Sequence, residues 1–91
     1  MADQIIVTVS GVDKIGIVAE VTSILAKYNV NIEDIKQTLM QGHFVMFMLC
    51  NIENSNKPFK EIKEALTDSG KKLGMEIWVQ KREIFDNMHK I

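Results

Sequence analysis

Ninety-one residues have room for one hydrophobic core and no second one, and a composition of 46% hydrophobic and 25% charged residues excludes a disordered or fibrous chain. A net charge of -1 gives no overall pull toward nucleic acid or an anionic membrane, and a domain this small leaves enough surface unburied to favour association with another subunit. Cys50 is the one cysteine, which rules out an internal disulfide, and the first apolar stretch, Ile5 to Val9, is too short for a secretory signal or a spanning helix. The expected compartment is the cytoplasm.

In chain order, residues 4–10 are rich in β-branched side chains and stop at Gly11, which predicts a first strand. From Gly16 to Tyr28 the apolar Ile17, Val21, Ile24, Leu25 and Tyr28 recur at helical spacing, with Glu20, Ser23 and Lys27 opposite, and Asn29-Val30-Asn31 ends this first helix. Residues 32–41 and 44–52 read as extended runs joined by Gly42-His43, a two-residue link of the type II′ kind, and so as an antiparallel hairpin. After the polar loop 53–57, Pro58 suits the first turn of a second helix with Phe59, Ile62, Leu66 and Leu73 on one face; Gly74 stops it. Met75, Ile77 and Val79 then alternate with Glu76, Trp78 and Gln80 as a half-buried strand.

The order β-α-β-β-α-β predicts an α+β, ferredoxin-like sandwich: a four-stranded antiparallel sheet with two helices on one face. A single domain is expected over 1–91, with a core of 4–82. Within the tail, 83–91, Ile84, Phe85, Met88 and Ile91 have amphipathic spacing, which predicts a short C-terminal helix. In the third strand Phe44, Met46, Met48 and Cys50 alternate with Val45, Phe47 and Leu49, so both faces are apolar and the face away from the helices needs cover. A second copy of the chain is the expected cover; the alternative is the terminal helix folding back alone.

Catalytic chemistry is sparse. His43 and His89 have no serine, cysteine or carboxylate partner at a spacing that implies a pair, and with Cys50 they match no zinc-ligand spacing, so no metal, no cofactor and no enzyme activity are expected. Cys50 reads as a buried strand residue. Lys71-Lys72, where the second helix should end, complements the helix dipole. Acylphosphatase-type phosphate binding needs an arginine in the first loop, and Arg82 is the only arginine. Phe44-Val45-Met46-Phe47 matches the second half of an RNA-recognition signature, but Met40-Gln41-Gly42-His43 fails the first half, which leaves RNA binding a minor alternative.

The segment Gly11-Val12-Asp13-Lys14-Ile15-Gly16 joins the first strand to the first helix. Free backbone N–H groups at a helix start can hold a carboxylate, and Asp13 can pair with an amino group. Equally, Asp13 can be the helix N-cap and Gly16 a site of close helix–strand packing. Spacing alone does not separate the two.

Within the βαββαβ order, Asp13-Lys14-Ile15-Gly16-Ile17-Val18 resembles the first loop of the ACT domain, commonly Asp-x-x-Gly before an aliphatic helix, and Asn29-Val30-Asn31-Ile32 resembles the family's turn into its second strand. The likeness covers residues 4–82. Ile15 stands where the family often has proline. As one ACT domain with a short tail, the chain is similar to stand-alone members of the family and to the domains of the glycine cleavage transcriptional repressor. The resemblance implies a homo-oligomer, dimer or tetramer, that binds an amino acid where one subunit's first loop meets a neighbour. Asp13 would then take the amino group, with Lys14 in the same loop, the N–H groups of Ile15, Gly16, Ile17 and Val18 the carboxylate, and Asn31 with Ile32 would form the opposite wall. The expected function is regulatory sensing passed to a partner protein, with no nucleic-acid or membrane partner; a ligand-free interaction module is the alternative.

Overall fold

The computed structural model describes residues 3–12 and 16–88. Seven elements follow in order: β1 (Gln4–Val12), α1 (Ile17–Lys27), β2 (Asn31–Met40), β3 (His43–Asn51), α2 (Phe59–Leu73), β4 (Glu76–Lys81) and α3 (Arg82–Met88). The strands form one antiparallel sheet in the order β2-β3-β1-β4. This is the expected ferredoxin-like arrangement. Among the described residues no helix is long and apolar enough to cross a membrane.

The core lies between the sheet and the two long helices. Period-2 alternation turns Ile5, Val7 and Val9 of β1, Phe44, Met46, Met48 and Cys50 of β3, and Ile77 and Val79 of β4 toward the helices, where all are buried. Ile17, Val21 and Leu25 of α1 and Ile62 and Leu66 of α2 complete it. Gly70 brings α2 close to β4: a Cβ there would stand 2.8 Å from both Met75 O and Ile77 Cγ1. Gly74, with left-handed backbone, caps α2, and Lys71 and Lys72 occupy its last turn.

Two turns differ from expectation. The β2–β3 hairpin turns on Gln41 and Gly42, with φ of 50° and 82°, and His43 belongs to β3. Two successive positive φ values make it a type I′ turn instead of type II′: glycine takes the second central position, where a type II′ turn would have it at the first. Pro58 is the N-cap of α2, with extended backbone, and stands one residue before the helix that it was expected to open.

The sheet's second face is covered in part. α3 follows β4 without a break and packs on β1 and β4, bringing the Phe85 ring edge-on to Phe47 at 6.3 Å. Arg82 donates to Gln4 Oε1 (2.8 Å), and Gln4 Nε2 donates to Glu33 Oε1 (2.7 Å), a chain that ties α3 through β1 to β2. Thr8 is buried on this face, while Phe47 stays 42% exposed and Trp78 60% exposed. The terminal helix does fold back, then, but leaves the largest aromatic group open. His89 and Ile91 lie outside the described residues.

Candidate functional site

The segment that joins β1 to α1 was the strongest motif in the sequence. Asp13, Lys14 and Ile15 lie outside the described residues, but both ends of the segment are defined. α1 opens on Gly16, its N-cap, in left-handed backbone with φ 86° and ψ 0°, and no described side chain caps the helix. This corrects the reading of Asp13 as N-cap: the capping position is the residue just before Ile17, and Asp13 is three residues further upstream. Close packing at Gly16 is corrected as well. A Cβ there would meet no atom of the described residues within 4 Å, so the backbone angle, and not crowding, is what calls for glycine.

The first amide of α1 with a helical partner is that of Glu20, which donates to Gly16 O at 2.9 Å. By helix geometry the N–H groups of Ile17, Val18 and Ala19 have no acceptor inside the helix. They sit at the positive end of its dipole, where a carboxylate or another anion is favoured.

This helix start borders an open groove of about 720 Å³, lined by residues 16–19 and by Gln37, Thr38, Leu39 and Phe44. It exists because β2 extends past the helical layer. Ile32, Ile35, Gln37 and Leu39 all face the helix side, since Glu33 is an extra residue in a β-bulge that shifts the register between Ile32 and Asp34. Neither long helix covers the far end of that row, so Ile35 is 39% and Leu39 60% exposed on the helix side of the sheet. The groove therefore joins backbone donors to an apolar wall of Leu39 and Phe44, with the Gln37 amide at hand, while the Thr38 side chain alternates to the other face. No charged side chain lines it among the described residues.

Of the residues named from the sequence, Gly16, Ile17 and Val18 line this groove. Asn31 and Ile32 do not join them. They pair with Asn51 and Cys50 at the opposite end of β2, whereas the groove lies beside Leu39 and its partner Phe44. At about 3.3 Å per residue, Ile32 and Leu39 are roughly 23 Å apart along the strand. Plain alternation from Ile32 puts Gln37 and Leu39 on the opposite face, and only the bulge at Glu33 brings them to the helix side beside Phe44.

Elsewhere the chemistry is limited. Ser10 Oγ lies 3.1 Å from His43 Nε2 on the exposed face, a pairing across β1 and β3 that spacing did not suggest. No described carboxylate is bonded to that imidazole to orient it as a base. Burial lifts the Cys50 thiol from 9.0 to about 12, helped by the Glu33 carboxylate, so it is a core group and not a nucleophile. Among the described residues no group of three or more His, Cys, Asp or Glu side chains could hold a metal.

A family model described as ACT domain matches residues 3–80. The chain belongs to the ACT domain family. A UPF0237 protein of Listeria innocua is 46% identical to this ACT domain over 86 residues, which span 94% of this chain and 97% of that protein. The solved ACT domain protein from Streptococcus pneumoniae superposes with a TM-score of 0.79 at 32% identity, covering 94% of this chain and 97% of that one. A putative glycine cleavage system transcriptional repressor shares the fold, with a TM-score of 0.76 at 19% identity over 89% of this chain and 46% of its own.

Proposed function

We propose that this ACT domain is a cytoplasmic regulatory module that binds a small amino acid between copies of itself and passes the signal to a partner protein. The observation that carries the reading is the exposed start of α1 at Gly16, which no described side chain caps and which shares a groove with the apolar wall of Leu39 and Phe44. An amino acid has matching parts: a carboxylate for the amides of Ile17 and Val18, a side chain for the apolar wall, and an ammonium for Asp13. Lys14 and Ile15 belong to the same loop. Asn31 and Ile32, about 23 Å from the groove in their own chain, reach a ligand when a neighbouring copy supplies them. The likeness to a protein described as a transcriptional repressor supports regulation over catalysis.

The exposed Phe47 and Trp78 favour a second reading, a ligand-free assembly module. Thermal unfolding against the twenty common amino acids separates the two. A ligand at about 100 times its dissociation constant stabilises by roughly 2.7 kcal/mol, which for a domain of this size raises the melting temperature by about 10–20 °C. Asp13→Ala is expected to remove that rise while the elution volume on size exclusion stays constant. A flat response across the whole panel refutes amino-acid binding.

A further inference from the structure

We propose that the outer edge of β4 accepts an extended acidic segment of a partner protein as a fifth strand. β4 ends the sheet and among the described residues ladders only with β1, so alternate backbone donors and acceptors of Glu76 to Val79 point away from the sheet. Beside that edge runs a groove of about 490 Å³ between Lys63 and Thr67 of α2 and the strand residues 77–80.

On α2, Lys63 and Thr67 line the groove, and with Lys60 and Lys71 they form one stripe at intervals of three and four. Glu61, Glu64 and Asp68 follow next round the helix, against the α1–α2 cleft, with Glu64 one turn beyond Lys60. Among the described residues no ion pair engages Lys60, Lys63 or Lys71. Lys81, at the end of β4, adds a further cation above the Phe59 ring.

This pattern selects the occupant. Two β4 edges joined about a twofold axis would set the two lysine stripes side by side, and like charges directly opposed oppose that pairing. An acidic strand meets the opposite situation: main-chain bonds supply affinity and alternate side chains supply specificity. Side chains on its helix-facing side meet Lys63 and Thr67, and those on the other side pass over Trp78, which is 60% exposed. The segment that fits therefore alternates acidic with apolar or aromatic residues.

A fluorescently labelled peptide of about seven residues alternating Glu and Val, a usual strand length, tests this by polarisation against the full chain. Trp78, the only tryptophan, reports the location through its own emission. Saturable binding is expected for this peptide and not for its Lys-Val counterpart. Lys60→Glu with Lys63→Glu should weaken binding about tenfold or more, Lys63→Arg should keep it, and salt of about 0.5 M should weaken it. N-methylation of alternate peptide amides, which leaves every charge in place, should abolish it. Equal affinity for the N-methylated peptide overturns strand addition, and no saturable signal at roughly millimolar protein overturns the proposal entirely. A double variant that becomes a dimer which the peptide cannot disrupt assigns the edge to a second copy, and also overturns it.

Discussion

Replacing Gly70 with alanine sets two well-characterised effects against each other. Gly70 lies in the last turns of α2, where alanine is a better helix former by about 1 kcal/mol, so propensity alone forecasts a more stable protein. Packing forecasts the reverse. The new methyl carbon would stand 2.8 Å from Met75 O and 2.8 Å from Ile77 Cγ1, well inside the roughly 3.5–4.0 Å of a favourable carbon contact. Neither neighbour can yield easily. The Met75 N–H is bonded to Gly70 O at 2.8 Å, and Ile77 is buried in β4 opposite Val9. Relief requires α2 to lift from the sheet, and overpacking of this kind costs about 1–3 kcal/mol. With two contacts at once the upper part of that range applies, which leaves a net loss of about 1–2 kcal/mol and a melting temperature roughly 5–15 °C lower. Thermal unfolding followed by far-ultraviolet circular dichroism measures the shift, with urea titration to verify an unchanged denaturant slope. A variant as stable as the parent, or more so, would refute the idea that α2 is pinned to β4 at this point.

Three further outcomes are expected. Gly16→Ala should destabilise by about 1–2 kcal/mol, because its cost is the left-handed backbone alone, and Gly16→Asn should cost visibly less; urea midpoints rank them, and equal losses would contradict this account. Gln41→Asn should raise stability by up to about 1 kcal/mol in calorimetry, because asparagine before glycine suits the type I′ turn; a neutral or negative change counts against that turn type. Cys50 keeps its proton more tightly in the folded chain than in the unfolded one, so its contribution is whole below pH 9 and is lost as pH rises toward about 12. Cys50→Ala should flatten that alkaline decline in a stability–pH series, and thiol reagents at pH 8 should react with the native parent far more slowly than with the unfolded chain.

The elements were readable in the sequence because their signals are periodic. Ile17, Val21 and Leu25 follow the helix repeat, and Ile5, Val7 and Val9 the strand repeat, and each set is buried together. The candidate site was readable only at its glycine end. Its far wall depends on the Glu33 bulge, which reverses the facing of every later residue in β2 and carries no local composition cue. The hairpin was displaced by one residue for a related reason: Gln41 takes a positive φ that its side chain does not advertise. The Ser10–His43 contact joins residues 33 positions apart through β-strand register, which spacing rules cannot anticipate.

The strand order has a consequence for how the chain is made. β1, the first strand to emerge during synthesis, sits between β3 and β4, and its partner at Ile5 is Lys81. Its β3 side can be satisfied once Asn51 is available, but its other side must wait for the last strand. Until then the β4-facing side of residues 5–10 forms an exposed edge on a nearly finished sheet. Residues 76–81 thus act as the closing step of folding, and a nascent chain stalled before Glu76 would present that edge to chaperones, or to its neighbours on the same message.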